Sequence, residues 1–185
     1  MIWNEIICLG DSITFGARDE FDRSYTSELP PILLNITNEH WICHNYGVNG
    51  ETSSNLLRRA WKNVSSHPQA KIVCLMIGTN DTKLPMPIEI YKDNLSQIIN
   101  ICKIQGKFIL IGTLPPLNLN PNYRDNLDFI NKYNDIIREL SDIYKIELVD
   151  FSGIEKYLID GVHFGNEGYK EIAKIWSKSI LKMQD

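Results

Sequence analysis

The chain has 185 residues, 43% of them hydrophobic, and a net charge of −4 with acidic and basic residues interleaved. That length and apolar content suit a single domain, 1–185, with an ordinary core. The charge pattern offers no basic stripe to a phosphate backbone, which weighs against nucleic acid as a partner. No stretch approaches the ~18 apolar residues of a membrane span, so no stable membrane insertion is expected. Met1 to Glu5 carries neither a basic segment nor a small-residue cleavage site, and a cytoplasmic location is the expectation. Oligomeric state is not legible in these residues.

In chain order, the first apolar run is 5–9, read as a strand, and Gly10-Asp11-Ser12 follows it directly. The next segment holds Pro30 and Pro31, which break a helix they sit inside and suit one they begin, so its start stays open. A second strand is read at 41–46, then Gly47-Val48-Asn49-Gly50. Leu57, Ala60, Trp61 and Val64 fall at helical spacing before a third strand, 71–77. Gly78-Thr79-Asn80-Asp81 comes next. Ile88, Tyr91, Leu95, Ile98, Ile99 and Cys102 mark an amphipathic helix that Gly106 ends. The fourth strand is 107–111.

A long irregular piece, 113–125, contains Pro115, Pro116 and Pro121 and is long enough to suggest a function. Leu127, Ile130, Tyr133, Ile137, Leu140 and Tyr144 make a further helix, and 146–151 a fifth strand. Asp160-Gly161-Val162-His163 then precedes a last helix through Ile172, Ala173, Trp176 and Ile180. Strand alternating with helix predicts a parallel sheet covered on both faces through right-handed crossovers. Cys8, Cys43 and Cys74 lie in strand runs and Cys102 on a helical face, a spacing of neither a zinc site nor a redox CxxC, so buried thiols are expected.

Ligands of an open parallel sheet bind beyond the carboxyl ends of its strands, and this is where the four motifs fall. Each has a plain structural reading. Asp11 and Ser12 favour turns and helix caps, Gly47 to Gly50 and Asn80-Asp81 suit turns, and His163 could be a loop histidine. Together they make a chemical set. A serine hydroxyl is a poor nucleophile until a base takes its proton, and the base works when a third group fixes its tautomer. Ser12, His163 and Asp160 can fill those roles. Negative charge on an attacked carbonyl oxygen needs aimed donors, and the natural ones are the amides of Ser12 and Gly47 and the side chain of Asn80.

These residues resemble the SGNH hydrolases, the GDSL-type esterases and lipases, whose four blocks supply Ser, Gly, Asn and His. Gly10-Asp11-Ser12-Ile13-Thr14 matches the first block, Gly47 the second, Asn80 the third and Asp160-Gly161-Val162-His163 the last, in order along nearly the whole chain. Two positions depart: Ile13 replaces the leucine of the family's name, and Phe164-Gly165 follows the histidine. The resemblance implies a three-layer α/β/α sandwich with a five-stranded parallel sheet in flavodoxin-like order. It implies Ser12 as nucleophile, His163 as base and then acid, Asp160 as orienting carboxylate, and an oxyanion hole of Ser12, Gly47 and Asn80.

The expected reaction is cleavage of a small-molecule carboxylic ester through an acyl-serine intermediate, with no metal or organic cofactor. Short acyl or O-acetyl esters are favoured, with a lysophospholipase or acyl-thioesterase as the alternative. A different class remains open as well: a non-catalytic flavodoxin-like module that holds phosphate or flavin at its first loop, or one that binds carbohydrate. Leu117, Leu119 and Tyr123 either wall an acyl pocket or fold back on the core. Arg18, Arg23 and Arg124 either meet an anionic leaving group or are solvated surface.

Overall fold

The computed structural model describes residues 3–20, 23–83, 86–115, 117 and 127–183. Its centre is a five-stranded sheet built from β1 (Asn4–Gly10), β2 (Trp41–Gly47), β3 (Ile72–Met76), β4 (Phe108–Gly112) and β5 (Glu147–Val149). All neighbours pair in parallel, in the order β2-β1-β3-β4-β5. This is the flavodoxin-like order, and its switch point lies between β1 and β3, where successive connections leave in opposite directions.

Strand residues alternate between two cores because side chains on a strand point to opposite faces. Ile7, Leu9, Val73 and Leu75 face α3 (Ser53–Ser65), α4 (Ile88–Ile104) and α5 (Leu127–Tyr144). Ile6, Cys8 and Cys74 face α2 (Tyr25–Thr37) and α6 (Asn166–Lys182). With both faces covered, β3 is buried at every position, and its run Ile-Val-Cys-Leu-Met is apolar throughout. The expected three-layer α/β/α sandwich is therefore the fold. The four cysteines are free thiols, with Cys8, Cys74 and Cys102 buried and Cys43 half-buried.

The helix left open around the two prolines begins at Tyr25, where the Ser24 side chain caps it by accepting from Thr26 N. Pro30 and Pro31 sit inside it rather than at its start. Each removes one intrahelical N–H donor. The helix persists because Tyr25, Leu29 and Leu33 are fully buried against the α6 side of the core, so tertiary packing replaces what the backbone lacks.

Within the long proline-bearing piece, residues 116 and 118–126 lie outside the described residues, and with them Leu119, Tyr123 and Arg124. Leu117 is described, and it packs into the core beside α4 and α5. The exit from β4 is fastened to α5: Leu114 N donates to Asn134 Oδ1 at 2.7 Å, and Asn134 Nδ2 donates to Leu114 O at 3.1 Å. Among the described residues no helix is long and apolar enough to cross a membrane.

Candidate active site

The serine is positioned by local chemistry. Asp11 caps a single helical turn, α1 (Ser12–Phe15), by accepting from Ile13 N at 3.0 Å, and Gly16 ends that turn in the left-handed region. Ser12 thus opens a helix directly beyond the carboxyl end of β1. Asp11 is thus a helix cap, and the cap sets Ser12 at the first position of that turn. Burial pushes the Asp11 carboxyl up to about 7, outweighing the Ile13 N–H bond, and the nearby Asp81 charge adds to the rise.

The histidine comes from a loop that closes on itself. Leu158 and Phe164 form an antiparallel bridge, and Ile159 N donates to His163 O at 2.9 Å. Inside the loop, Asp160 Oδ1 accepts from Val162 N at 3.0 Å and from His163 N at 2.7 Å, while Oδ2 lies 2.8 Å from His163 Nδ1. Burial raises the Asp160 carboxyl, but the N–H bonds from His163 and Val162 and the imidazole outweigh it and hold it below the ordinary carboxylate range. An ionised carboxylate only accepts, so in the neutral imidazole Nδ1 carries the proton and Nε2 keeps the lone pair. His163 Nε2 lies 3.0 Å from Ser12 Oγ, a contact between residues 151 positions apart.

Asn80 follows β3 across the switch point. Its side-chain Nδ2 donates one hydrogen to Glu51 O at 3.0 Å, which leaves the second for the cleft. The next residue holds this loop in place: the Asp81 carboxylate accepts from Ser53 N at 2.9 Å and from Ser53 Oγ at 2.6 Å, at the start of α3. Burial raises the Asp81 carboxyl despite those two bonds.

Gly47 requires a correction. Expected as the second backbone donor, it is the last residue of β2 and is absent from the cleft, and its N–H is spent on Asn45 Oδ1 at 2.8 Å. It is glycine for another reason: a Cβ there would come within 2.0 Å of Phe15 N, so β2 and α1 approach this closely only without one. Gly50, three residues on, lines the cleft instead, with φ +77 and no intramolecular acceptor on its N–H among the described residues. The signal available in the sequence was Asn49-Gly50, a turn dipeptide whose glycine takes the left-handed conformation.

A second residue had no sequence signal. Arg59, on α3, donates from Nε to Glu51 Oε2 at 2.7 Å and from Nη2 to Gly10 O at 3.1 Å. Since the Glu51 carbonyl in turn receives Asn80, this one guanidinium links the loops after β1, β2 and β3.

Ser12, Gly50, Asn80 and His163 share one cleft of about 380 Å³. Phe15, Asn49, Arg18 and Lys83 complete much of its wall. Arg18 Nε lies 3.5 Å from Asp160 Oδ2, so this arginine reaches the cleft. A larger cavity, about 710 Å³, opens at the amino ends of the strands between Trp3, Trp41 and Phe108. Among the described residues it holds no nucleophile next to a base, whereas the smaller cleft holds Ser12 beside His163.

A parallel 2-1-3-4-5 sheet with serine, imidazole and carboxylate in hydrogen-bonded series at its carboxyl rim puts the chain among the α/β/α ester hydrolases. The chain belongs to the GDSL-like Lipase/Acylhydrolase family, whose model matches residues 8–171. It is accordingly a carboxylic ester hydrolase. It is similar to an arylesterase of Vibrio mimicus, 24% identical over 96% of this chain and 88% of that protein. In fold it resembles a lipase/acylhydrolase from Enterococcus faecalis (TM-score 0.84, 22% identity, 97% of this chain and 96% of that one). A carbohydrate acetylesterase from Sinorhizobium meliloti is also close in fold (TM-score 0.81, 16% identity, 97% and 99% covered).

Proposed function

We propose that this enzyme cleaves short-chain acyl or O-acetyl esters by two-step acyl transfer through Ser12. The observation that carries the reading is the series Asp160 Oδ2 to His163 Nδ1 at 2.8 Å and His163 Nε2 to Ser12 Oγ at 3.0 Å. Ser12 Oγ attacks the ester carbonyl carbon while His163 Nε2 takes its proton. The carbonyl oxygen becomes negative and is met by the N–H groups of Ser12 and Gly50 and the amide of Asn80. His163 then hands its proton to the departing alcohol as the carbon–oxygen bond breaks. Water attacks the acyl-serine, His163 takes a proton from that water, and the acid leaves as the proton returns to Ser12. Asp160 keeps Nδ1 protonated throughout and steadies the imidazolium.

Cleft size supports the preference for small acyl groups. A space of about 380 Å³ sits near the lower end of small-molecule sites, which run ~300–1,000 Å³. The fold neighbour named as a carbohydrate acetylesterase supports the same class. The test is a chain-length series of nitrophenyl esters beside a panel of acetylated sugars. Turnover should fall steeply beyond short acyl groups and vanish in Ser12→Ala. A maximum at long chains would replace this reading with a lipid or thioester substrate.

A further inference from the structure

Away from the cleft, Glu5 on β1, His44 on β2 and His67 in the turn after α3 each bring one donor atom to within 4.8 Å of the other two. His44 Nε2 lies 2.9 Å from Glu5 Oε2, and the rings of His44 and His67 stack with centroids 3.5 Å apart. All three residues are half-buried. The parts around them are fastened. Tyr46 Oη lies 2.8 Å from His67 Nε2. The Lys107 ammonium donates to the carbonyls of His67, Pro68 and Ala70 at 2.9, 3.3 and 2.6 Å, pinning the backbone that carries His67.

We propose that Glu5, His44 and His67 form a binding site for a divalent first-row transition metal ion, zinc above others. Two imidazoles and one carboxylate make a donor set suited to zinc, nickel or copper, whereas calcium and magnesium call for oxygen donors. Glu5 and His44 also line the larger cavity, which supplies an entry path and room for water as a fourth ligand. Metal–nitrogen bonds of ~2.0–2.1 Å require the donors to draw together. Stacked rings hold their lone pairs in nearly parallel planes, so one ring must turn out of the stack to meet a shared ion. That turn is about a histidine χ2, a soft torsion. An ion held there joins edge strand β2 to β1 and to the turn before β3. Glu5 lies at the amino end of β1 and His44 midway along β2, whereas Ser12 follows the carboxyl end of β1, so the ion stabilises the sheet and takes no part in ester cleavage.

The test uses the full chain, stripped with a chelator and then titrated with zinc by calorimetry. One zinc should bind per chain, with a rise in melting temperature that grows with zinc concentration. Cobalt(II) should give the visible absorption of a four-coordinate ion. His44→Asn and His67→Asn should each weaken binding at least about tenfold, and His40→Ala should leave it unchanged. Circular dichroism and esterase turnover of the two asparagine variants in chelator should match those of the parent. Absence of one-to-one binding, or binding that persists in the His44→Asn, His67→Asn double variant, overturns the proposal.

Discussion

Ser12→Ala should abolish both ester turnover and covalent labelling by a fluorophosphonate, because the labelled atom is the proposed nucleophile. Labelling that survives the change places the nucleophile elsewhere. Asn80→Ala should lower kcat by ~10²–10³ and leave KM nearly unchanged, since an oxyanion donor acts on charge that exists only in the transition state. Steady-state kinetics on p-nitrophenyl acetate separates the two constants. At this scale the sequence was informative about side chains and less so about backbone donors. Serine, asparagine, aspartate and histidine carry their chemistry in their identity, and the structure brings all four to one rim. A glycine carries only conformational freedom, and two glycines followed the second strand. Close approach to Phe15 explains Gly47, and a left-handed backbone at the cleft explains Gly50. Nothing in the residue type separates those reasons.

Among the elements, the joints between β1, β2 and α1 decide how well the cleft is assembled. Gly47→Ala forces a Cβ to within 2.0 Å of Phe15 N on the helix that Ser12 opens. Overpacking of this kind costs about 1–3 kcal/mol, and here it also displaces the serine. Chemical denaturation should show the loss of stability and kinetics a loss of kcat. Arg59→Ala tests a different joint. By releasing Gly10 O and Glu51, it loosens the support of Ser12, Gly50 and Asn80 without removing any of them. The expected result is a kcat reduced by up to ~10² per fluorophosphonate-reactive site, with KM little changed. If kcat per reactive site stays at the parent value, Arg59 serves stability alone.

Hydrophobic periodicity is a strong signal for buried parallel strands and amphipathic helices. The five strand runs and the helices over 88–102 and 127–144 match the observed elements to within a few residues at their ends. The helix around Pro30 and Pro31 was the exception. Its start depended on Ser24 as a cap and on burial against α6, and the second of these is a tertiary fact.

For the molecule as a whole, shifted carboxyls shape stability against pH with opposite signs, Asp11 and Asp81 in one direction and Asp160 in the other. Asp11 is held near 7 in the fold against an ordinary 3.8, so between those values the unfolded chain sheds a proton that the folded chain keeps. Its contribution is complete below about pH 4 and is lost as pH rises through about 7, in all by about 4 kcal/mol at 1.36 kcal/mol per pH unit. Asp160 is held below its ordinary value, so its contribution is present above the usual carboxylate range and is lost as pH falls through the folded value. Melting temperature measured from pH 4 to 8 should therefore decline toward the neutral end. Asp11→Asn, which keeps an oxygen for Ile13 N, should flatten that decline and raise stability at pH 7 to 8. Parallel curves for parent and variant would contradict the raised value.

The sequence by itself determined the class of fold, the alternation of strand with helix, and which side chains are proposed for ester cleavage. Those properties follow from short-range periodicity and from functional-group chemistry, both written locally in the chain. Tertiary structure alone decided which glycine faces the cleft, how Arg59 joins three loops, and where Glu5, His44 and His67 meet. Each of these is a distance between segments far apart in sequence, and such distances exist only once the sheet has set its register and the helices have packed upon it.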